Sequence, residues 1–210
     1  MTKVLRIDEP SALETAKYIL KQGGIIAFPT DTVYGLAADP ANEQALKRIY
    51  QVKNRPDEKA LPILIGEIAQ LERIAFEPLE NFQAIKMAKK FWPGPLTLIF
   101  EKRQDLSPLV TSLPTVGVRI PAYPPVIQLL QDSGPLAVTS ANISAGRNSL
   151  SAEDVMAQLE GSIDLLLDGG KTPGTIPSTV VDCSRAERFV ILREGEITEE
   201  MLRQCLHENN

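Results

Sequence analysis

Apolar positions along this chain follow two rhythms. Leu13, Ala16, Ile19 and Leu20 recur at helical spacing after Ser11-x-x-Glu14, a capping-box pattern, and Gly23-Gly24 closes the run. Ile25-Ile26-Ala27-Phe28 is a continuous apolar run rich in β-branched and aromatic residues, which predicts a buried strand. The helical rhythm returns at Ala45, Leu46, Ile49 and Val52 behind Asn42 as N-cap. It appears again over 67–75 and 79–92, where Phe82, Ile85, Met87, Ala88 and Phe91 predict a core face closed by Trp92. Strand-like runs stand at 61–65, 96–100, 116–121 and 136–138. Pro124-Pro125 opens a helix ending near Gly134, and Ser151-x-x-Asp154 caps a short one. Strands are predicted at 163–167, 179–183 and 189–193, then a terminal helix over 198–206 with frayed residues beyond it. No repeat, low-complexity tract or linker divides the chain. Alternating elements early and clustered strands late predict one α/β domain on a mixed sheet, over 1–210 with its core at about 9–195.

The exit of the first of these strands is the densest polar stretch: Pro29-Thr30-Asp31-Thr32-Val33-Tyr34-Gly35-Leu36. Pro29 has no N–H and ends the ladder. Two hydroxyls, a carboxylate and a phenol then precede Gly35, where the chain can turn tightly. Ligands of open α/β sheets sit at the carboxyl ends of strands, so this is a candidate binding loop. An ordinary strand-to-helix turn capped by Asp and Thr fits the same residues equally well.

Composition narrows the chemistry. The 210 residues suit one large domain or two small ones, and 43% hydrophobic content supports a real core. A net charge of −5 argues against a general nucleic-acid binder but allows a local basic groove. No apolar run approaches the ~20 residues of a membrane span, and Met1–Asp8 lacks the apolar region of a signal peptide. A cytoplasmic location without a membrane partner is therefore expected. Cys183 and Cys205 form neither a CxxC nor a zinc spacing and read as reduced thiols, Cys183 as strand core. The only histidine is His207, which argues against Ser-His-Asp and Cys-His catalysis and a His-rich metal site. Chemistry here must run on Lys, Arg, Thr, Ser, Asp, Tyr, backbone amides, or a cation held by substrate phosphates.

Two motifs fail on inspection. Gly170-Lys171-Thr172 lacks the P-loop's upstream Gly, since Leu165 stands there, and Pro173-Gly174 blocks the helix that should follow. Asn142-Ile143-Ser144 is a chance glycosylation sequon. What stands is a scattered set: Thr30 and Thr32; Lys53, Arg55 and Lys59 in one loop; Arg119; Ser140 and Asn142; Ser178 and Thr179; Arg193. Arg and Lys suit phosphates and carboxylates, and small hydroxyls suit an amino acid or the polar edge of a nucleotide. Taken alone, the 53–59 loop reads better as a solvated basic turn, and Arg119 as readily as a structural ion pair.

The conjunction resembles the YrdC/Sua5 family, the threonylcarbamoyl-AMP synthases of tRNA modification. The matching stretches are Pro29–Leu36, Lys53-x-Arg55-Pro56-x-x-Lys59, Trp92-Pro93-Gly94-Pro95-Leu96-Thr97, Val118–Pro121, Thr139-Ser140-Ala141-Asn142, Ser178–Asp182 and Arg193-Glu194-Gly195, in the family's order. The resemblance implies a YrdC-like/RibB-like α/β fold, a twisted mixed sheet around a concave, positively charged cavity. It implies condensation of L-threonine, bicarbonate or CO2, and ATP to threonylcarbamoyl-adenylate and pyrophosphate. A partner transferase would then modify adenosine 37 of tRNA. Longer members carry an extra C-terminal domain, which this chain is expected to lack.

Carried over residue by residue, Thr32, Arg119, Thr139 and Ser178 match threonine-side positions, Arg119 pairing with the carboxylate. Arg55, Lys59, Ser140, Asn142 and Arg193 match ATP-side positions, and Thr115 and Ser149 fall close to two more. Lys53, Arg55 and Arg119 are the expected catalytic groups, acting by position and charge, with Mg²⁺ held mainly by phosphates and no protein metal site. Asp31 is a candidate base, although an N-cap or ion-pair role fits it better. Leu64 stands where many members have His, which leaves room for the YciO-like branch, an RNA-binding paralogue without this activity. Direct RNA binding through the 53–59 loop is a further alternative. A carbamoyl-transfer module fits less well, since no acylphosphatase or zinc-finger segment is attached.

Overall fold

The computed structural model describes residues 1–56, 59–174, 176–185 and 188–208. The first half contains β1 (Lys3–Arg6), α1 (Ala12–Lys21), β2 (Ile26–Phe28), β3 (Gly35–Ala38), α2 (Glu43–Lys53), β4 (Ile63–Leu64), α3 (Phe82–Phe91) and β5 (Leu96–Glu101). The second contains β6 (Thr115–Arg119), α4 (Pro124–Ser133), β7 (Leu136–Ser140), α5 (Ala152–Leu159), β8 (Leu165–Asp168), β9 (Thr179–Asp182), β10 (Val190–Arg193) and α6 (Glu199–His207). The strands form one mixed sheet in the order β1-β8-β2-β3-β7-β4-β6-β5-β9-β10. The expected single α/β domain on a mixed sheet is what the chain adopts.

Successive strand side chains point to opposite faces, so strands covered on both sides read as unbroken apolar runs. Ile26 and Phe28 pack with Ala37, Leu136, Val138, Leu165 and Leu167 under α1 and α4. Their alternates, Ile25, Ala27, Leu36, Ala38, Ala137 and Leu166, join the larger core on the other face with α2, α3, α5 and α6. Further along the sheet, Leu96, Leu98, Val116, Val118 and Val181 continue that larger core. Their alternates are Thr97, Ile99, Gly117, Arg119 and Val180, and all five line a cavity. The hollow thus occupies the part of the first face that α1 and α4 do not cover.

Several elements differ from the sequence expectations. β1 and β3 were not anticipated. Lys3–Arg6 alternates too weakly to signal a strand, yet it pairs in parallel with β8. Gly35 does not turn the chain; it opens β3, where an added Cβ would lie 2.8 Å from Val138 Cγ1. The Ser11 capping box does not form: Ser11 has helical dihedrals and its side chain makes no cap hydrogen bond. Asn42 and Ser151 do cap, accepting from the Ala45 and Asp154 amides. Of the helix expected over 67–75, a 3-10 segment at Ile68–Arg73 forms, and Pro78–Glu80 is a second. Phe82 is 70% exposed at the start of α3, its ring 5.9 Å from Lys86 Nζ on the outer face, so the core face is Ala84, Met87 and Ala88 with half-buried neighbours. Lys53 is not in a loop but ends α2. Residues 57 and 58 of the expected basic loop, and the last two residues of the expected frayed tail, lie outside the described set.

Candidate active site

Thr30 organises the loop between β2 and β3. Its hydroxyl oxygen accepts from the amides of Thr32 and Val33 at 3.1 and 3.2 Å and donates to Val33 O at 2.6 Å. Such hydroxyl-to-backbone bonds fix a tight turn. The Thr32 hydroxyl is thereby held beside Arg119 at the end of β6, whose NH1 donates to it at 3.0 Å. Arg119 also donates to Gly94 O at 2.9 Å and to Asp31 Oδ1 at 2.5 Å. This ion pair is buried, with side-chain exposures of 8% and 12%, whereas the other ion pairs among the described residues are considerably more exposed. Burial pulls the Arg119 pKa down, and Asp31 opposes that pull. Asp31 therefore takes the ion-pair role.

Around this anchor lies a cavity of about 450 Å³. Thr32, Arg119, Thr139 and Ser178 line it, and so do Arg55, Ser140 and Arg193. Seven sequence-selected residues from six separate stretches therefore share one hollow. Among the described residues its lining includes three guanidinium groups and no carboxylate. Arg55 is placed by its own loop, donating to Lys59 O at 3.2 Å and Ala60 O at 2.8 Å. Arg193 donates twice to Ser178 O, at 3.0 and 2.8 Å, and the Ser178 hydroxyl lies 2.8 Å from Thr97 Oγ1.

Lys53, Lys59, Thr115, Asn142 and Ser149 do not line it. Lys53 is 1% exposed and its ammonium donates to Ser140 O at 2.5 Å and to Asn142 O, with no carboxylate partner among the described residues. Burial, with Arg55 nearby, pushes its pKa down to about 7. Asn142 spends its side-chain amide on Ile143 O and Gly146 O, and the buried Ser149 hydroxyl donates to Ala141 O at 2.6 Å. These groups hold the β7 exit from behind. Lys59 is exposed, and Thr115 starts β6 four residues from Arg119, about 13 Å along an extended strand.

Tyr34, the phenol of the candidate loop, lines it too, whereas sequence reasoning passed over Thr97 and Asn148 as lining groups. Thr97 had a signal, a polar residue alternating with Leu96 and Leu98 in a strand. Asn148 had none.

Comparison with known proteins bears on this geometry. The fold superposes on Pyrococcus abyssi Sua5 complexed with L-threonine at a TM-score of 0.90 and 38% identity, covering 99% of this chain and 61% of that one. It superposes on Escherichia coli YciO at 0.82 and 27% identity, covering 93% and 97% respectively. Residues 18–195 match the family model Sua5_yciO_yrdC, described as "Telomere recombination", and the chain belongs to that family. A curated relative from Bacillus subtilis, named threonylcarbamoyl-AMP synthase, is 40% identical over 205 residues, 96% of this chain and 58% of the relative. The chain thus spans less than two thirds of the Bacillus and Pyrococcus proteins.

Proposed function

We propose that this chain carries an L-threonylcarbamoyladenylate synthase activity, a nucleotidyl transfer from ATP to threonine carbamate. The observation that carries the proposal is the one hollow that Thr32, Arg119 and Ser178 line together with Arg55, Ser140 and Arg193. Arg119 supports the carboxylate reading: three of its five N–H donors are used by Gly94, Thr32 and Asp31, which leaves two. The threonine complex of the Pyrococcus relative supports the amino-acid half.

In this reading, the neutral threonine amine adds to CO2 through a new N–C bond and gives up a proton to solvent, forming a carbamate without an enzyme nucleophile. The carbamate oxygen then attacks the α-phosphorus in line, the bond to the β-phosphate oxygen breaks, and pyrophosphate leaves. Such transfers depend on positioning and charge neutralisation. Arg55 and Arg193 neutralise triphosphate charge, with Lys59 adding charge from the same loop. Thr139 and Thr32 border the amino acid. Lys53 serves by holding Ser140 and Asn142 in place. Among the described residues no cluster of acidic, His or Cys side chains could hold a metal, and the cavity lining offers no carboxylate. Mg²⁺ would therefore arrive with the nucleotide, held by phosphates and water, and supply further neutralisation of charge.

The product would pass to a partner transferase acting on tRNA. No helix among the described residues is long and apolar enough to cross a membrane, and a cytoplasmic site of action is proposed with the rest. The test is pyrophosphate release from ATP and bicarbonate with each amino acid in turn. Threonine should give release. Serine lacks one methyl, worth ~1–3 kcal/mol in a fitted pocket, so it should be poor but detectable. Release independent of amino acid, or none, rejects the proposal. RNA affinity that falls steeply with salt, without pyrophosphate release, would favour an RNA-binding role instead.

A further inference from the structure

We propose that the Tyr34 hydroxyl is a positioning group: it clasps the segment that brings Ser178 to the cavity, and so sets affinity for the amino-acid substrate. The substrate half of this proposal rests on the reading above, in which Ser178 stands on the amino-acid side.

Tyr34 is fully buried, and a buried phenol must find polar partners. Tyr34 borders the cavity, and its hydroxyl is engaged with the chain leaving β8, donating to Gly170 O at 2.7 Å and accepting from the Gly169 amide at 3.2 Å. Burial raises the phenol pKa, which keeps the donor protonated. Its backbone is committed too: the Tyr34 amide donates to Ser149 O at 2.9 Å, and its carbonyl accepts from the Ala141 amide at 2.8 Å. One residue therefore ties the loop after β2 to the β7 exit, to Ser149, and to the chain leaving β8.

That departing chain lies directly on the loop after β2. An added Cβ at Gly174 would lie 2.5 Å from Asp31 O and 2.8 Å from Thr32 Cα. At Gly169 it would lie 2.7 Å from Pro29 Cγ. Only glycine permits such an approach. Between them, the Thr172 amide donates to Leu150 O at 2.8 Å. Lys171, Pro173 and Ile176 are exposed on the outer side of the segment. Pro177 and Ser178 then line the cavity, and β9 follows. Among the described residues the upstream hold on Ser178 is thus the Tyr34 clasp, the Thr172 bond and a longer bond from the Tyr123 hydroxyl to Gly169 O at 3.4 Å, with Arg193 holding downstream.

Tyr34→Phe keeps the buried ring and removes the clasp. Hydrogen exchange followed by mass spectrometry should show amides between Gly169 and Ser178 exchanging about tenfold faster, with β2, β3 and β7 unchanged. Calorimetry with threonine, at a saturating non-hydrolysable ATP analogue, should show affinity about tenfold weaker. In a Ser178→Ala background the same substitution should add little, because residues acting through one contact are not additive. Gly174→Ala, which pushes the segment off Asp31 and Thr32 with Tyr34 intact, should give a similar threonine defect. Unchanged exchange in Tyr34→Phe, or a threonine effect that adds in full to that of Ser178→Ala, overturns the proposal. If the unsubstituted chain binds no threonine, the substrate reading fails, and the exchange result alone upholds or overturns the clasp.

Discussion

Arg119 shows how one side chain can be both structural and available. It closes β6, anchors Gly94 and Thr32, and holds Asp31 in a buried pair. Removing one partner of such a pair strands the other charge, so Arg119→Ala should destabilise the fold by about 3 kcal/mol in urea titration. It should also weaken threonine binding by ~1.5–3 kcal/mol, the range for a charge-assisted bond, read by calorimetry on the remaining folded protein. Lys53 makes a different case. Its folded pKa is about 7, below the unfolded value of about 10.4. Between those values the unfolded chain binds more protons, so this group's contribution to stability rises with pH. Below pH 7 the ammonium is charged in both states and the full cost of burying it is paid. The stability of the chain relative to Lys53→Met should therefore increase from pH 7 to pH 10; a flat difference would remove the burial penalty from the picture. The sequence exposed Arg119 because a charge at the end of an apolar run demands a partner. It marked Lys53 as a candidate charge but not as a buried one, because only the helix that carries it decides whether the ammonium points outward or under the β7 exit.

At the scale of elements, caps separate what pattern can and cannot foretell. Asn42 and Ser11 both precede helical apolar spacing, yet only Asn42 accepts an amide hydrogen bond, at 3.0 Å. Asn42→Ala should cost about 1 kcal/mol and Ser11→Ala less than about 0.5 kcal/mol, measured as shifts in urea midpoint. The difference is tertiary. The Arg6 amide donates to Glu9 Oε1 at 3.0 Å and the Ala12 amide to Glu9 O at 3.0 Å, so the turn before α1 is already closed without Ser11. Long, doubly buried strands were legible because they must be apolar throughout. Two others were not: β1, Lys3–Arg6, alternates too weakly, and β3 reads Gly-Leu-Ala-Ala. Their identity comes from neighbours in the sheet, which local spacing does not contain. Phe82 erred in the other direction, its aromatic ring lying on the outer face of α3 with Lys86.

For the whole molecule, the governing feature is an uneven cover. α1 and α4 shield one end of one sheet face, and the rest of that face holds the cavity where Thr97, Gly117, Arg119 and Val180 alternate with core residues. Distant stretches converge there because their strands are neighbours in the sheet, which is why residues scattered from 32 to 193 meet. Motif order could place those residues in one family, but which of them face the hollow and which brace it from behind required the register. The most direct test is mass spectrometry of the nucleotide product after incubating the protein with ATP, L-threonine and carbon-13 bicarbonate. A threonylcarbamoyl-adenylate carrying the heavy carbon, with matching pyrophosphate, is the expected result. An adenylate of threonine without that carbon, or ATP recovered intact, would contradict the proposal that nucleotide and threonine carbamate meet in this cavity.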